Sequence, residues 1–180
     1  MSRFTDRPSA SGGWQQPWVR ALTTLLTLGM MVLIFCFSME NADASNETSG
    51  VFSKAVISVV YPAYEKEPPR EQERIFNDVQ HVVRKTAHFT EYALLGLLMR
   101  LCLESWLGAK RQNSLLSPLA WGLTALYAGL DEIHQLLIDG RAGQWLDVLI
   151  DSSGGVLGVL LGALIVKHSL KSERGRTAPR

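Results

Sequence analysis

Apolar residues gather into long blocks along the chain, and most of the charged residues lie between those blocks. Residues 21–39 carry no charged side chain, and residues 148–166 carry only Asp151. Each block approaches the roughly 20 apolar residues that a helix needs to cross the hydrocarbon core of a bilayer. Both blocks therefore predict membrane-spanning helices.

Two further blocks are apolar but contain several polar residues. Residues 87–107 include Glu91, Arg100 and Glu104, whereas residues 115–138 have their acidic and imidazole groups near one end. The apolar run that opens the second of these blocks is more uniform than the one-sided stripe of a soluble amphipathic helix. We therefore expect an all-α fold, an integral membrane bundle of about four transmembrane helices.

The segment between the first two spans is predicted to be amphipathic. Its residues 51–61 form a short apolar run, which indicates an interfacial helix or a piece that lies on the bundle. After three prolines, residues 70–84 place apolar side chains at helical spacing among charged ones. This pattern predicts an amphipathic helix that runs into the second span.

Basic residues concentrate in three segments that four spans would place on one side of the membrane. These segments are residues 1–20, the connection at 108–114, and residues 167–180. They hold ten Lys and Arg residues against Asp6 and Glu173. The positive-inside tendency makes that side cytoplasmic and the amphipathic segment extracytoplasmic. We expect cytoplasmic tails at 1–20 and 167–180, and a membrane domain at 21–166.

The first apolar block admits a second interpretation. Residues 42–44, Ala-Asp-Ala, are similar to a signal-peptide cleavage site, which would make this block a removed leader. We favour a retained span, because the apolar run is longer than a usual signal core and Glu40 and Asn41 separate it from that site. At the ends of the chain, residues 2–16 and 169–180 are polar and predict disordered tails.

Composition narrows the class of protein further. The 18 Lys and Arg residues nearly balance the 17 Asp and Glu residues, which argues against a nucleic-acid partner bound through phosphate neutralisation. The mean hydropathy of +0.08 resembles that of a soluble protein only because the apolar blocks and the charged stretches average out. Cys36 and Cys102 are too few for a disulfide framework, and no cofactor is predicted.

Polar residues from separate segments converge at one membrane level in this topology. The converging side chains are Lys85, His88, Glu91 and Tyr92 of the second span, Asp131, Glu132, His134 and Gln135 of the third, Arg141 of the outer loop, and Asp147 and Asp151 of the fourth. Ionisable groups within spans are costly and usually face a partner or a water-filled cavity. The sequence therefore predicts a polar site near the outer face of the membrane.

Acid–base chemistry is one use of such a site. A histidine beside a carboxylate can transfer a proton, and the candidate catalytic residues are accordingly His88, Glu91, Asp131 and His134. Two cations of the site, Lys85 and Arg141, suit an anionic ligand such as a phosphate or a carboxylate. The candidate ligand-binding residues are Lys85, Tyr92, Glu132, Gln135, Arg141, Asp147 and Asp151.

Two other interpretations of the same residues remain open. In a structural one, Lys85 or Arg141 pairs with an acidic residue and only holds the helices together. A metal site is conceivable, but the chain has no compact ligand motif such as H-E-x-x-H, so no metal is predicted. Arg100 and Glu104 are four residues apart and are expected to form an ion pair without a function.

The polar motifs resemble those of the VanZ-like membrane protein family. The resemblance rests on RKTAHFTEY at 84–92, DEIHQ at 131–135, Gly140-Arg141, and Asp147-Val148, in this order and spacing. It covers roughly residues 33–162. It implies a multi-pass protein of the bacterial inner membrane that faces the cell envelope, and it implies an association with low-level tolerance of teicoplanin, a lipid-bearing glycopeptide.

Three functions are compatible with this resemblance and these residues. The first is a binding protein that engages an anionic or lipid-linked envelope component, with membrane lipids, a lipid-linked cell-wall precursor or a lipoglycopeptide as partners. The second is a membrane-embedded hydrolase or transferase that acts on a lipid-linked phosphate or sugar. The third, a small transporter, is disfavoured because the polar residues cluster at one level instead of tracing a path across the bilayer.

Overall fold

The described part of the computed structural model consists of helices and short turns. It covers residues 13–40, 42–108, 113–138 and 145–177. The helices are α1 (Pro17–Ser38), α2 (Ala42–Val60), α3 (Pro69–Leu107), α4 (Leu116–Gln135) and α5 (Trp145–Thr177). Two single 3-10 turns, Tyr64–Lys66 and Asn113–Leu115, precede α3 and α4. These residues contain no strand, and the predicted all-α class is confirmed.

The first helix, α1, presents a narrow stripe to the bundle and an apolar surface everywhere else. Its buried residues follow helical spacing and are Val19, Thr23, Thr27, Ile34 and Ser38. The threonines bond back to their own helix, and Thr27 Oγ1 donates to the Thr23 carbonyl at 2.7 Å. Leu25 on the opposite side is 68% exposed. A helix that is apolar on its exposed face is typical of contact with lipid.

The most extensive contact in the fold joins α3 and α5. Glycines on α5 make this contact possible, since a Cβ atom at Gly154 or Gly158 would meet the carbonyl oxygen of Phe89 or Ala93 on α3. Small residues let two helices approach until their backbones touch, which strengthens dispersion contacts along the interface. The position of α3 beside α5 therefore depends on these glycines.

The second helix, α2, folds back along the first half of α3. Gln80 of α3 donates to the Asn46 carbonyl at 2.9 Å and to Ser49 Oγ at 3.0 Å. Gly50 lies against Phe76 of α3. The helix begins at Ala42, well before the apolar run at 51–61. Its serines bond to the preceding turn, and Ser53 Oγ donates to the Ser49 carbonyl at 2.8 Å.

The amphipathic segment at 70–84 and the apolar block at 87–107 form one helix, as predicted. The disordered tail predicted from residue 169 is wrong as far as residue 177, because α5 continues to Thr177. No proline interrupts α5 beyond the apolar block, and Lys, Leu, Glu and Arg favour the helix there. The predicted tail at 2–16 and the loop with Arg141 fall largely or wholly outside the described residues.

Two of the described helices are long and apolar enough to cross a membrane. They are α1 and the Trp145–Ser172 part of α5. The corresponding stretches of α3 and α4 contain the polar residues discussed below, which lower their mean hydropathy. Four spans therefore stay a prediction.

Candidate functional site

Buried polar side chains from four helices meet at one end of the bundle. We call this group the polar cluster, and its members are Ser38 of α1, Tyr92 of α3, Asp131, Glu132 and Gln135 of α4, and Asp151 of α5. All six are buried, although water would normally solvate their polar or ionisable groups. Five of the six were predicted site residues, and Ser38 was not. The signal for Ser38 lies in its place at the last buried position of the α1 stripe.

Asp131 joins three helices within the polar cluster. Gln135, one turn later on α4, donates from Nε2 to Asp131 Oδ2 at 3.2 Å. The hydroxyls of Ser38 and Tyr92 lie beside the same carboxylate, although neither forms a hydrogen bond of regular geometry. Hydroxyl and amide donors around one carboxylate partly replace its lost hydration.

Asp151 is the least satisfied acid of the polar cluster. It is 2% exposed, and its Oδ1 atom has no hydrogen-bond partner among the described residues. The charged groups that act on it are Asp131, Glu132, Glu91 and Lys85. A buried carboxylate oxygen without a donor costs several kcal/mol if it stays unpaired, so native proteins keep few such atoms. Their presence is typical of functional sites.

Lys85 of α3 forms an ion pair with Asp147 of α5, at the edge of the polar cluster. Both side chains are about one-fifth exposed. The contact is the kind of helix-tying pair that the structural interpretation anticipated for Lys85. Because Asp147 already compensates its charge, Lys85 is a weaker candidate for holding an anionic ligand than the sequence indicated.

The two candidate histidines have different surroundings. His134 of α4 stacks on the ring of Phe35 of α1, with centroids 4.8 Å apart, and its Nδ1 atom is buried without a hydrogen-bond partner among the described residues. His88 of α3 lines a cavity together with Glu91. Among the residues with described positions, no three His, Cys, Asp or Glu side chains are arranged to hold a metal ion.

The cavity beside His88 lies where α1, α2 and α3 meet, and we call it the α2 cavity. Its volume is about 290 Å³. Its polar and charged lining residues are Glu40, Ser45, Thr48, Ser49, Arg84, His88 and Glu91. Its apolar lining residues are Phe37, Phe52, Val83 and Ala87. Sequence reasoning missed Glu40, Arg84 and the α2 residues, because nothing in the chain's pattern tells which surface α2 covers.

A second buried polar group lies toward the other end of α3. Arg100 Nη1 donates to Glu104 Oε2 at 2.9 Å, and both side chains are about 3% exposed. Arg100 Nε also reaches Ser117 Oγ on α4 at 3.3 Å. Arg20 of α1 donates to the Ser105 carbonyl of α3 at 3.0 Å. The predicted ion pair is confirmed, and its burial shows that it connects helices in the interior.

These features define a bundle of apolar helices with two groups of buried polar residues, one toward each end, a class typical of membrane proteins. The model of the VanZ/LLP1 family matches residues 23–166, and the chain belongs to this family. That range includes the whole polar cluster, Lys85 and Asp147. No curated protein and no solved structure was found to match the chain.

Proposed function

We propose that this chain is a multi-pass protein of the bacterial inner membrane that engages the polar head of a lipid-linked envelope component at its polar cluster. In this proposal α1, α3, α4 and α5 span the bilayer, both termini are cytoplasmic, and the polar cluster lies at the outer leaflet. Membrane lipids, a lipid-linked cell-wall precursor and a lipoglycopeptide are the candidate partners.

The dimensions of α3 support four spans. Its 39 residues correspond to a length of about 58 Å at a rise of 1.5 Å per residue. A hydrocarbon core of about 30 Å accommodates roughly the second half of such a helix. The first half, with α2 folded along it, then projects beyond the membrane, and the polar cluster falls near the boundary.

The observation that carries the proposed site is the unsatisfied burial of Asp151 beside Asp131. Two acids from different helices are buried together at the same end of the bundle as the α2 cavity. Ionisable groups at membrane depth usually serve a ligand or an ion path. Carboxylates and amides of this kind accept or donate hydrogen bonds to the hydroxyl, amine and amide groups of a sugar or peptide head.

Cysteine labelling tests the topology. In a Cys36→Ser, Cys102→Ser background, single cysteines at Ser58, Ser114 and Leu137 report on the two sides of α3 and α4. All three native residues are exposed. A membrane-impermeant thiol reagent should label positions 58 and 137 on intact spheroplasts, and position 114 only after permeabilisation. Labelling of position 114 from outside would contradict the four-span arrangement.

Ligand capture tests the site. The protein is purified from bacterial membranes with native lipids, and the co-purified lipid-linked molecules are identified by mass spectrometry. We expect Asp131→Asn to lose at least one of them, because its buried carboxylate can no longer accept a charge-assisted hydrogen bond. Asp78→Asn, the same change at an exposed position of α3, is the matched control. Identical lipid profiles from both variants and the unaltered protein would refute the proposal.

A second candidate function is a hydrolase or transferase that acts on a lipid-linked phosphate or sugar. The specific observation is His134, three residues after Asp131 on α4, whose buried Nδ1 atom lacks a partner among the described residues. An imidazole beside a carboxylate can serve as a general acid or base. In this case His134→Ala should abolish turnover of a labelled lipid-linked phosphate or sugar while leaving binding of that substrate measurable. Equal turnover by the variant and the unaltered protein would exclude a catalytic role for His134.

We also propose a contribution to teicoplanin tolerance, which the family resemblance implies. Expression of the chain in a susceptible host should raise the inhibitory concentration of teicoplanin, whose acyl chain can enter the membrane, more than that of vancomycin, which lacks this chain. Asp131→Asn should remove the effect. An unchanged inhibitory concentration on expression of a correctly inserted protein would argue against this contribution.

A further inference from the structure

The α2 cavity carries charges of both signs, and this pattern indicates which class of lipid head group the cavity would take. Arg84 lies on α3, and Glu40 follows the end of α1. Glu91 lies two turns after Arg84 on the same helix. The inference rests on the proposed function, because it uses the proposed membrane level of the bundle, and it adds a head-group site in the α2 cavity next to the polar cluster.

The acids of the cavity repel one another. Glu91 lies close enough to Asp131 and, less closely, to Glu40 for their charges to act on it, and neither Glu91 nor Glu40 forms an ion pair within the described ranges of the chain. Both side chains are partly buried, so water screens their repulsion incompletely. A cation between them would offset this repulsion, and a primary ammonium would also donate up to three hydrogen bonds. Phe37 and Phe52 line the same cavity, and aromatic rings can attract a cation.

Arg84 provides the complementary charge. Arg84 is partly buried and forms no ion pair with any carboxylate whose position is described. A planar guanidinium binds phosphate through two parallel hydrogen bonds, which suits it better than a lysine to this task. Thr48, on the facing surface of α2, lines the cavity with a further hydroxyl donor.

The volume of the α2 cavity and its position in the proposed membrane topology indicate that it takes a lipid head group without the acyl chains. Its volume of about 290 Å³ is at the lower limit of pockets for small molecules. In the proposed topology it lies where α3 leaves the hydrocarbon core, which is the level of lipid head groups. The exposed apolar surface of α1 below it, with Leu33 43% exposed, is available to acyl chains that remain in the bilayer.

We propose that the α2 cavity binds the phosphoethanolamine-type head group of a phospholipid, with its phosphate on Arg84 and its primary ammonium between Glu40 and Glu91. The net charge of such a head is zero, and each of its charges meets its opposite in the cavity. A purely anionic head could place its phosphate on Arg84 but would supply no cation for the two carboxylates. A quaternary ammonium head lacks the N–H donors that the carboxylates accept.

Lipid binding to the purified full-length protein tests the head-group assignment. The protein in detergent is titrated with phosphatidylethanolamine, phosphatidylglycerol and phosphatidylcholine of identical acyl chains, and bound lipid is counted by native mass spectrometry. We expect phosphatidylethanolamine to bind roughly tenfold more tightly than the other two, which is the effect of one charge-assisted hydrogen bond. Equal affinity for all three lipids would overturn the assignment.

Variants locate the binding to the α2 cavity. Glu91→Gln and Glu40→Gln should each reduce the preference for phosphatidylethanolamine over phosphatidylglycerol, whereas Glu47→Gln, an exposed neighbour on α2, should not. Arg84→Gln should weaken both lipids by roughly tenfold, with the exposed Arg70→Gln as its control. A preference that persists in the Glu40→Gln, Glu91→Gln double variant would overturn the assignment.

The two proposals fail in different ways. Loss of the head-group preference leaves the engagement of a lipid-linked component by Asp131 untouched, since that is measured on co-purified molecules. Conversely, an Asp131→Asn variant that retains every co-purified lipid refutes the wider proposal even where phosphatidylethanolamine is preferred.

Discussion

Replacement of Gly158 by alanine tests whether backbone contact between α3 and α5 holds the bundle together. A Cβ atom at this position would overlap the carbonyl oxygen of Ala93 and crowd the amide nitrogen of Leu97. Both are backbone atoms of a packed helix and cannot rotate away as a side chain would. The two helices must therefore separate, and a gap of even 0.5–1 Å forfeits about a quarter to a half of each dispersion contact.

The magnitude follows from two opposing contributions. Overpacking costs about 3 kcal/mol at the upper end of its usual range, which is appropriate where backbone atoms clash. Alanine regains about 1 kcal/mol over glycine through its higher helix propensity. The net loss of about 2 kcal/mol corresponds to a fall in Tm of about 4–8 °C for a chain of this size.

Two other glycines calibrate the measurement, which is thermal unfolding in detergent followed by tryptophan fluorescence. A Cβ atom added to Gly29 of α1 would meet no neighbouring atom within 4 Å, so Gly29→Ala should raise Tm by the propensity gain alone. A Cβ atom added to Gly162 would lie 3.0 Å from the Cβ atom of Arg100. The Tm of Gly162→Ala should therefore lie between those of Gly29→Ala and Gly158→Ala. If Gly158→Ala melts at or above the temperature of Gly29→Ala, the close approach of α3 and α5 is refuted.

Other changes give separate tests of buried charge and surface contact. Glu104→Gln should lower the unfolding free energy by about 3–5 kcal/mol, because it leaves the Arg100 guanidinium buried and unpaired; a loss below about 1 kcal/mol would mean that water reaches this pair. Asp151→Asn should raise Tm while weakening capture of lipid-linked molecules, because it removes a buried acid whose Oδ1 atom has no donor among the described residues; a lower Tm would show that Asp151 is already well paired. The phenol of Tyr61 donates to Glu67 at 2.7 Å, and this bond with the nearby negative charge raises the pKa of Tyr61. Its deprotonation in a spectrophotometric titration, isolated as the difference from Tyr61→Phe, should move to lower pH in Glu67→Gln, and an unchanged midpoint would contradict the contact.

Helix α3 shows how much of the fold the spacing of apolar residues predicted. The apolar positions at 70–84 and the block at 87–107 predicted one helix, and one helix extends from Pro69 to Leu107. The same pattern predicted which residues share a face, so Tyr92, Asp131 and Asp151 were expected together, and all three are buried in the polar cluster. The spacing of apolar and polar side chains can be read from one segment of the chain, without knowing what that segment contacts.

The sequence did not determine which residues those faces contact. The sequence left the acidic partner of Lys85 open, and in the structure Lys85 pairs with Asp147. The α2 cavity was not predicted, since its walls come from α1, α2 and α3 and depend on where α2 folds back. The helical pattern indicates which face of a helix is buried, but it does not indicate which element covers that face.

The amino-acid sequence by itself determined the all-α class, the continuous helix α3 and the apolar faces of the helices, because each of these depends on residues a few positions apart. Only the tertiary structure decided that α2 lies along α3, that Glu40 and Arg84 line one cavity, and that one oxygen of Asp151 lacks a donor among the described residues. These features depend on distances between helices, and those distances follow from close packing at positions such as Gly158, where the absence of one methyl group sets how near two backbones come.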